Sequence, residues 1–246
     1  MDDMGLVLIS GANKGLGFET ARQLGKMGYK VLLGSRDVDK GKSAAEKLRG
    51  EGLDVIAVKL DVNIQADIDA VARLINEEFG GVLDVLVNNA GQMVEKSWTN
   101  NITSEMKVED IRSTYETNVL APFALTKALL PALKRSKAGR IVNVSSILGS
   151  VTLQGTKGSP IYTTKLFAYN SSKAALNMLT IHLAHELRGT KIKVNSAHPG
   201  WAKTDMGGSA ATLSVEDGAK TIVELATVPE DGPTGGYFHG ADMIPW

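Results

Sequence analysis

The chain contains no cysteine, which excludes disulfides, thiolate metal sites and cysteine nucleophiles. Its four histidines, His182, His185, His198 and His239, form no HExxH pattern and no metal-spaced grouping with carboxylates, so structural roles are expected and a metal site is not. Neither sign of charge is in excess: 27 Lys plus Arg stand against 27 Asp plus Glu. No broad positive field is therefore available to hold nucleic acid or an anionic membrane. The short block Lys134-Arg135 with Lys137 reads as a solvated helix end whose cations answer the dipole. No apolar run is long enough to span a bilayer. The acidic start, Met1 to Met4, offers no basic segment or signal-peptide core, so a cytoplasmic location without membrane or nucleic-acid partners is expected.

What is present is a steady alternation of strand and helix signals. Leu6 to Ile9 is a short continuous apolar run, as in a strand buried on both faces. A helix pattern follows through Phe18, Ala21 and Leu24, ending at Gly28 before a second apolar strand, Lys30 to Leu33. Further strands are expected at Asp54 to Leu60, Leu83 to Val87, Ile141 to Val144, Ile192 to Ser196 and Gly235 to His239. Helices are expected at Ile64 to Phe79, Thr117 to Lys134 and Tyr169 to Leu187. Pro122 should fall in a first turn or kink its helix, while Thr152 to Ser159 and Gly207 to Thr212 read as loops. Repeated β-α units imply an α/β fold: a doubly wound, mostly parallel, seven-stranded sheet with helices on both faces in three layers, its ligand at the strands' carboxyl ends. At 246 residues, 1–246 reads as a single domain.

Two patterns carry chemistry. Ser10-Gly-Ala-Asn-Lys-Gly-Leu-Gly17 joins the first strand to the first helix with GxxxGxG spacing. Its glycines allow a tight turn and close approach to a ligand, and free amides at the helix start attract a pyrophosphate; a purely structural turn is the alternative. Tyr169 and Lys173 stand four residues apart in a helical stretch, so both side chains share a face. A phenol ionises near pH ~10 and a nearby ammonium favours the phenolate, so the pair suits proton exchange near neutrality, although an ordinary packed pair has the same spacing.

On these motifs the chain resembles the short-chain dehydrogenase/reductase family over essentially its whole length. Ser10 to Gly17 is similar to the family's nucleotide loop, with Ser10 where threonine is usual, and Asn88-Asn-Ala-Gly91 matches its NNAG segment. Asn118, Ser146, Tyr169 and Lys173 fall where the catalytic tetrad lies, and Pro199-Gly-Trp-Ala-Lys-Thr204 is similar to the PGxxxT segment that meets the nicotinamide end of the cofactor. The resemblance implies cofactor contacts from Gly11, Asn13, Lys14, Gly15, Leu16, Gly17, Arg36, Asp61, Val62, Asn89, Ala90, Gly91, Tyr169, Lys173, Pro199, Gly200 and Thr204. Asp61 could equally be a plain helix N-cap. Tyr169 would exchange the proton, Lys173 would lower its pKa and hold a ribose hydroxyl, Ser146 would bond the reacting oxygen, and Asn118 would support a water path. Asn118 could instead satisfy helix backbone, and Ser145 competes with Ser146.

Cofactor choice turns on the end of the second strand. An acid there would bind the ribose of NAD; here Ser35 occupies that place and Arg36 follows, with Lys14 as a second cation for the 2′-phosphate. NADP(H) is the expected cofactor, the alternative being Asp37 as ribose acid. Two departures from the family pattern stand out. Residues Gln154 to Pro160 lengthen the stretch before Tyr169 and bring in Tyr162, which has Lys165 one position too close to imitate the catalytic pair. Ala121 replaces a frequent glycine. The implied reaction is NADPH-dependent reduction of a ketone or aldehyde. An NAD-linked alcohol or polyol dehydrogenase and a non-catalytic NADP-binding sensor or scaffold are the alternatives. Pocket walls are expected from Gln92 to Ser97, from the insertion and from Trp201 to Leu213, around a neutral, moderately apolar carbonyl compound. The family resemblance also implies a homodimer or homotetramer, with Leu125, Leu129, Leu130, Leu133, Leu176, Leu179, Ile181 and Leu183 as apolar surface for a partner or for the core.

Overall fold

The computed structural model describes residues 5–98 and 101–246; the acidic start, Met1 to Met4, lies outside them. Eight strands form one sheet: β1 (Leu6–Ile9), β2 (Lys30–Ser35), β3 (Val55–Lys59), β4 (Val85–Asn88), β5 (Arg140–Val144), β6 (Lys193–Ala197), β7 (Tyr237–His239) and β8 (Asp242–Met243). Their order is β3-β2-β1-β4-β5-β6-β7-β8. All neighbours pair parallel except β7 with β8, a short antiparallel return made as the chain folds back after Gly240. The expected parallel seven-stranded sheet is therefore present with β8 added, a two-residue strand too short for any sequence period to reveal. Strand order reverses between β1 and β4, and that switch point opens a crevice at the carboxyl ends.

Strand residues alternate between two cores because successive side chains point to opposite faces. Leu8, Leu32, Leu86, Ile141 and Val194 face one layer, built by α3 (Gln65–Glu78) and α5 (Ala121–Arg135) with the carboxyl half of α7 (Phe167–Glu186). Val7, Ile9, Val31, Leu33, Val87 and Val142 face the other, built by α1 (Gly15–Lys26), α2 (Val38–Gly50) and α8 (Val215–Ala226). Each such side chain, removed fully from water, contributes about 1.5–3 kcal/mol. Leu125, Leu129, Leu133, Leu176 and Leu183 are consumed by burial, so they are not open surface. The exposed apolar side chains of these two helices and of the turn preceding α5 are Leu120, Phe123, Phe167 and Met178.

Two segments depart from expectation. The helix expected from Thr117 begins earlier, as α4 (Val108–Tyr115), and reaches α5 through a π turn at Glu116–Leu120. Pro122 supplies the reason: it has no N–H to offer the carbonyl of Asn118, so the coil widens and the Ala121 N–H bonds Glu116 O instead. α4 escaped the sequence pattern because Thr114 is its only buried residue. Within the expected 152–159 loop, Val151–Gly155 forms a short helix, α6, capped by the Ser150 hydroxyl. The chain's last residues hold α6 in place: Ser150 Oγ donates to Pro245 O at 2.6 Å, Thr152 N to Trp246 O at 2.9 Å, and the Trp246 ring stacks on Tyr237.

Candidate active site

The glycine turn after β1 is locked against β4 before any ligand is considered. Ser10 Oγ accepts the amides of Asn89 and Ala90, each at 3.0 Å, and Asn89 Nδ2 returns bonds to the carbonyls of Ser10 and Gly11. Gly11 and Gly15 have φ of 62° and 58°, where a side chain would be strained. A Cβ at Gly17 would lie 2.4 Å from Asn89 Nδ2, so only glycine permits this approach. The N-cap of α1, Lys14, makes no capping bond with its side chain and no acid occupies the first turn, which leaves the leading amides and positive dipole end for an anion. Asn13, Leu16 and Pro199-Gly200 border the same turn, and Thr204 Cγ2 would be 3.5 Å from a Cβ on Gly15. Asn88 Nδ2 ties β4 to Asn143 of β5 and to Thr126 of α5.

The edge of this cradle carries the residues expected to choose the cofactor. Arg36 is exposed, whereas Ser35 is buried with its hydroxyl donating to Asp37 O. Asp37 is taken up in capping α2, where it accepts the Lys40 amide at 3.0 Å; that bond holds its carboxyl below the usual range. Lys14 is exposed and paired at 2.5 Å with Asp205 of the loop after β6. Asp61 does not cap α3, whose N-cap is Ile64; its carboxylate accepts the amide of Asn63, beside the buried Val62.

Tyr169 and Lys173 meet on α7, 7% and 4% exposed. Lys173 Nζ donates to Val144 O at 2.8 Å and lies 5.6 Å from the Tyr169 ring centre. Ser146, at the end of β5, lies beside the phenol and favours its ionised form. The serine loop is held from two further strands: Tyr237 OH donates to Ser146 O, and His198 Nδ1 accepts the Ile147 amide at 3.2 Å. Ser145 is buried beside Tyr237 instead. Asn118, fully buried in the π turn, spends its side chain on Gln92 N and O and on Ser172 Oγ. It thus clamps the segment after Gly91, where a Cβ would stand 3.3 Å from Asn118 Oδ1 and 3.5 Å from Lys173 Nζ. Tyr162 lies apart, with Lys165 bonded to Gln154.

Burial dominates the electrostatics. It pushes the Tyr169 phenol up to about 12, with the neighbouring Ser146 hydroxyl opposing and the Glu95 charge adding to the rise. Burial brings Lys173 down to about 8 and His198 down to about 3, the charge of His239 contributing to the latter. The expected lowering of the phenol by Lys173 is therefore absent from the chain alone: both groups are sealed from water, and each is drawn toward its neutral form. Tyr169 also forms part of a small apolar cluster with Leu148, Ile161 and Leu166, against which Met93, Trp98, Leu153 and Met206 pack. Trp98, one residue beyond the expected Gln92 to Ser97 wall, meets Trp201 edge to face at 5.8 Å, while Leu153 and Ile161 of the cluster flank the insertion without belonging to it. Glu95, His198 and Tyr237 went unnoticed in the sequence because each acts across a long chain separation. Among the described residues no cluster of His, Asp and Glu could hold a metal ion, and no helix is long and apolar enough to cross a membrane.

Comparison with known proteins gives a consistent picture. Residues 5–213 match the family model described as short chain dehydrogenase. A short-chain dehydrogenase, anuI, of Penicillium roqueforti is 38% identical, covering 90% of this chain and 88% of its own. Carbonyl reductase (NADPH) 1 of Mus musculus is 33% identical over 98% of both chains. The NADPH-bound carbonyl reductase from chicken fatty liver superposes with a TM-score of 0.83 at 28% identity, covering 98% of each chain.

Proposed function

The chain belongs to the short-chain dehydrogenase family, and from that premise we propose an NADPH-dependent carbonyl reductase built as one NADP-binding domain, with Tyr169 as proton donor. The observation that carries this reading is the placement of a buried neutral phenol beside Ser146, in an apolar cluster, with Lys173 of the same helix reaching toward Gly91. The cradle fits the cofactor: Gly11 and Gly17 let the turn pack tightly against Ala90 and Asn89, the amides of α1 are open to the pyrophosphate, and Arg36 and Lys14 supply cations for a 2′-phosphate. The amide turn at Asn89, Ala90 and Gly91, with Asp61 and Val62 toward the base and Pro199, Gly200 and Thr204 toward the nicotinamide, completes the set.

When bound, NADPH supplies a hydride to the carbonyl carbon of a ketone or aldehyde. Ser146 donates a hydrogen bond to the carbonyl oxygen, and Tyr169 transfers its proton to that oxygen as it becomes an alcohol. A phenol whose pKa lies near 12 is fully protonated at neutral pH, as this direction requires. Lys173, still largely cationic at neutral pH with its pKa near 8, steadies the phenolate that forms, and its own bond to Val144 O fixes the ammonium in position. With Pro122 at the fourth residue on, the Asn118 carbonyl has no α-helical amide to accept, which suits it to hold a water on the path that returns the proton. The NAD-linked oxidative alternative is disfavoured by the exposed Arg36 and by the use of Asp37 as a cap. The Met, Leu, Ile and Trp side chains clustered around Tyr169 favour an apolar, uncharged substrate.

The test is NADPH consumption against a panel of ketones and aldehydes, in wild type and Tyr169→Phe. Turnover should fall by about a hundredfold or more in the variant while NADPH binding persists; unchanged turnover would remove Tyr169 from the mechanism, and binding without turnover in wild type would leave a sensor or scaffold. We also infer a homo-oligomer that covers the exposed Leu120, Phe123 and Met178. A monomeric mass by light scattering at micromolar concentration would refute it.

A further inference from the structure

α7 begins without a cap of its own. Leu166 holds the N-cap position, no side chain there bonds the leading amides, and no acid lies in the first turn. The deficit is met from 73 residues away: Glu95 Oε1 accepts the Ala168 amide at 2.9 Å, and the Tyr169 amide at 3.2 Å. Glu95 is 7% exposed, and its second oxygen is buried without a hydrogen-bond partner. Capping alone does not account for such a residue. A serine or aspartate in place of Leu166 would cap the helix locally, without the several kcal/mol that withdrawing a carboxylate from water costs. The helix dipole and the two amides offset part of that cost. What the buried position adds is a direct bond to the backbone of Tyr169 itself.

Resting on the reading of Tyr169 as proton donor, we propose that Glu95 is a positioning residue for the reaction: its buried carboxylate fixes the first turn of α7 and sets the field in which the Tyr169 phenol keeps its proton. Met93 and Trp98, two and three residues to either side, pack in the cluster that contains Tyr169, so the same segment forms a substrate wall and holds the proton donor. Glu95 is the negative charge that adds to the upward push of burial on the phenol. The other ionisable groups around Tyr169 are Lys173 on its own helix and Tyr237 from β7. His198, from the end of β6, bonds the serine loop and stays neutral. On α4, which packs on α7, Glu109 and Arg112 are exposed and pair with each other.

The experiment compares E95Q, E95D and E95A with wild type, following alcohol oxidation with NADP+ against pH. Oxidation needs the phenolate, so its rate rises with pH. E95Q keeps an oxygen for the two amides and loses the charge, so the rising limb should move to lower pH, and the rate at a fixed pH on that limb should increase about threefold or more. E95D, which keeps the charge, should retain the wild-type limb, and E95A should lower kcat for reduction about tenfold with NADPH affinity unchanged. A limb in E95Q that coincides with wild type, with only the melting temperature altered, would reduce Glu95 to a structural cap and overturn the proposal; E95Q alone decides this if E95A does not fold. Tyr169→Phe separates the two readings. If it remains active, the proposed reaction fails; if it is inactive while the E95Q limb stays in place, only the role of Glu95 is lost.

Discussion

Two pairs of ionisable side chains border the same crevice in opposite environments. Tyr169 and Lys173 are sealed from water, and burial moves the phenol up to about 12 and the amine down to about 8. Lys14 and Arg36 stand in solvent at the rim of the cradle, where Lys14 already pairs with Asp205. A group sealed from water responds strongly to every neighbouring charge, which suits proton transfer. A group in water is screened and responds weakly, which suits discrimination between two ligands that differ by one phosphate. In the proposed enzyme, the inner pair governs chemistry and the outer pair governs cofactor choice.

The sharpest way to break that division is at Lys173. Lys173→Met removes the buried ammonium and should lower kcat for reduction by about a hundredfold, with NADPH affinity falling far less, as read by steady-state NADPH oxidation beside a fluorescence titration. A loss confined to binding would place Lys173 with the outer pair. A smaller effect is expected at the rim. Arg36→Asp should raise KM for NADPH about tenfold and leave NADH within a few-fold, with kcat unchanged, because the lost ion pair is exposed. Equal losses for both cofactors would contradict a 2′-phosphate contact, and the bond of Lys14 to Asp205 makes Arg36 the more sensitive of the two positions.

Residues that act through local pattern were legible in the sequence. The central strands read correctly because they are buried on both faces and run largely apolar, as in Leu6–Ile9 and residues 85–87. The glycine turn and the Tyr169–Lys173 pair were visible because each lies within a few residues of chain. α4 was not, since a helix that buries Thr114 alone carries no apolar stripe. α6 was not, because its anchor is the carbonyl of Pro245, which no local signal connects to Ser150. Asn118 was found by position, yet its side-chain role as a clamp on Gln92 depends on how the π turn around Pro122 aims it.

Composition, apolar strand runs and short motifs thus determined the sheet and the glycine turn, and singled out the candidate reacting side chains, since each rests on runs of neighbouring residues. Tertiary structure alone decided the state of those side chains. Whether a phenol is held near pH 10 or 12 depends mainly on how completely it is sealed, with a smaller addition from a carboxylate that bonds its backbone amide from 74 residues away. Burial and through-space charge are set by packing, and neither is encoded in the order of neighbours along the chain.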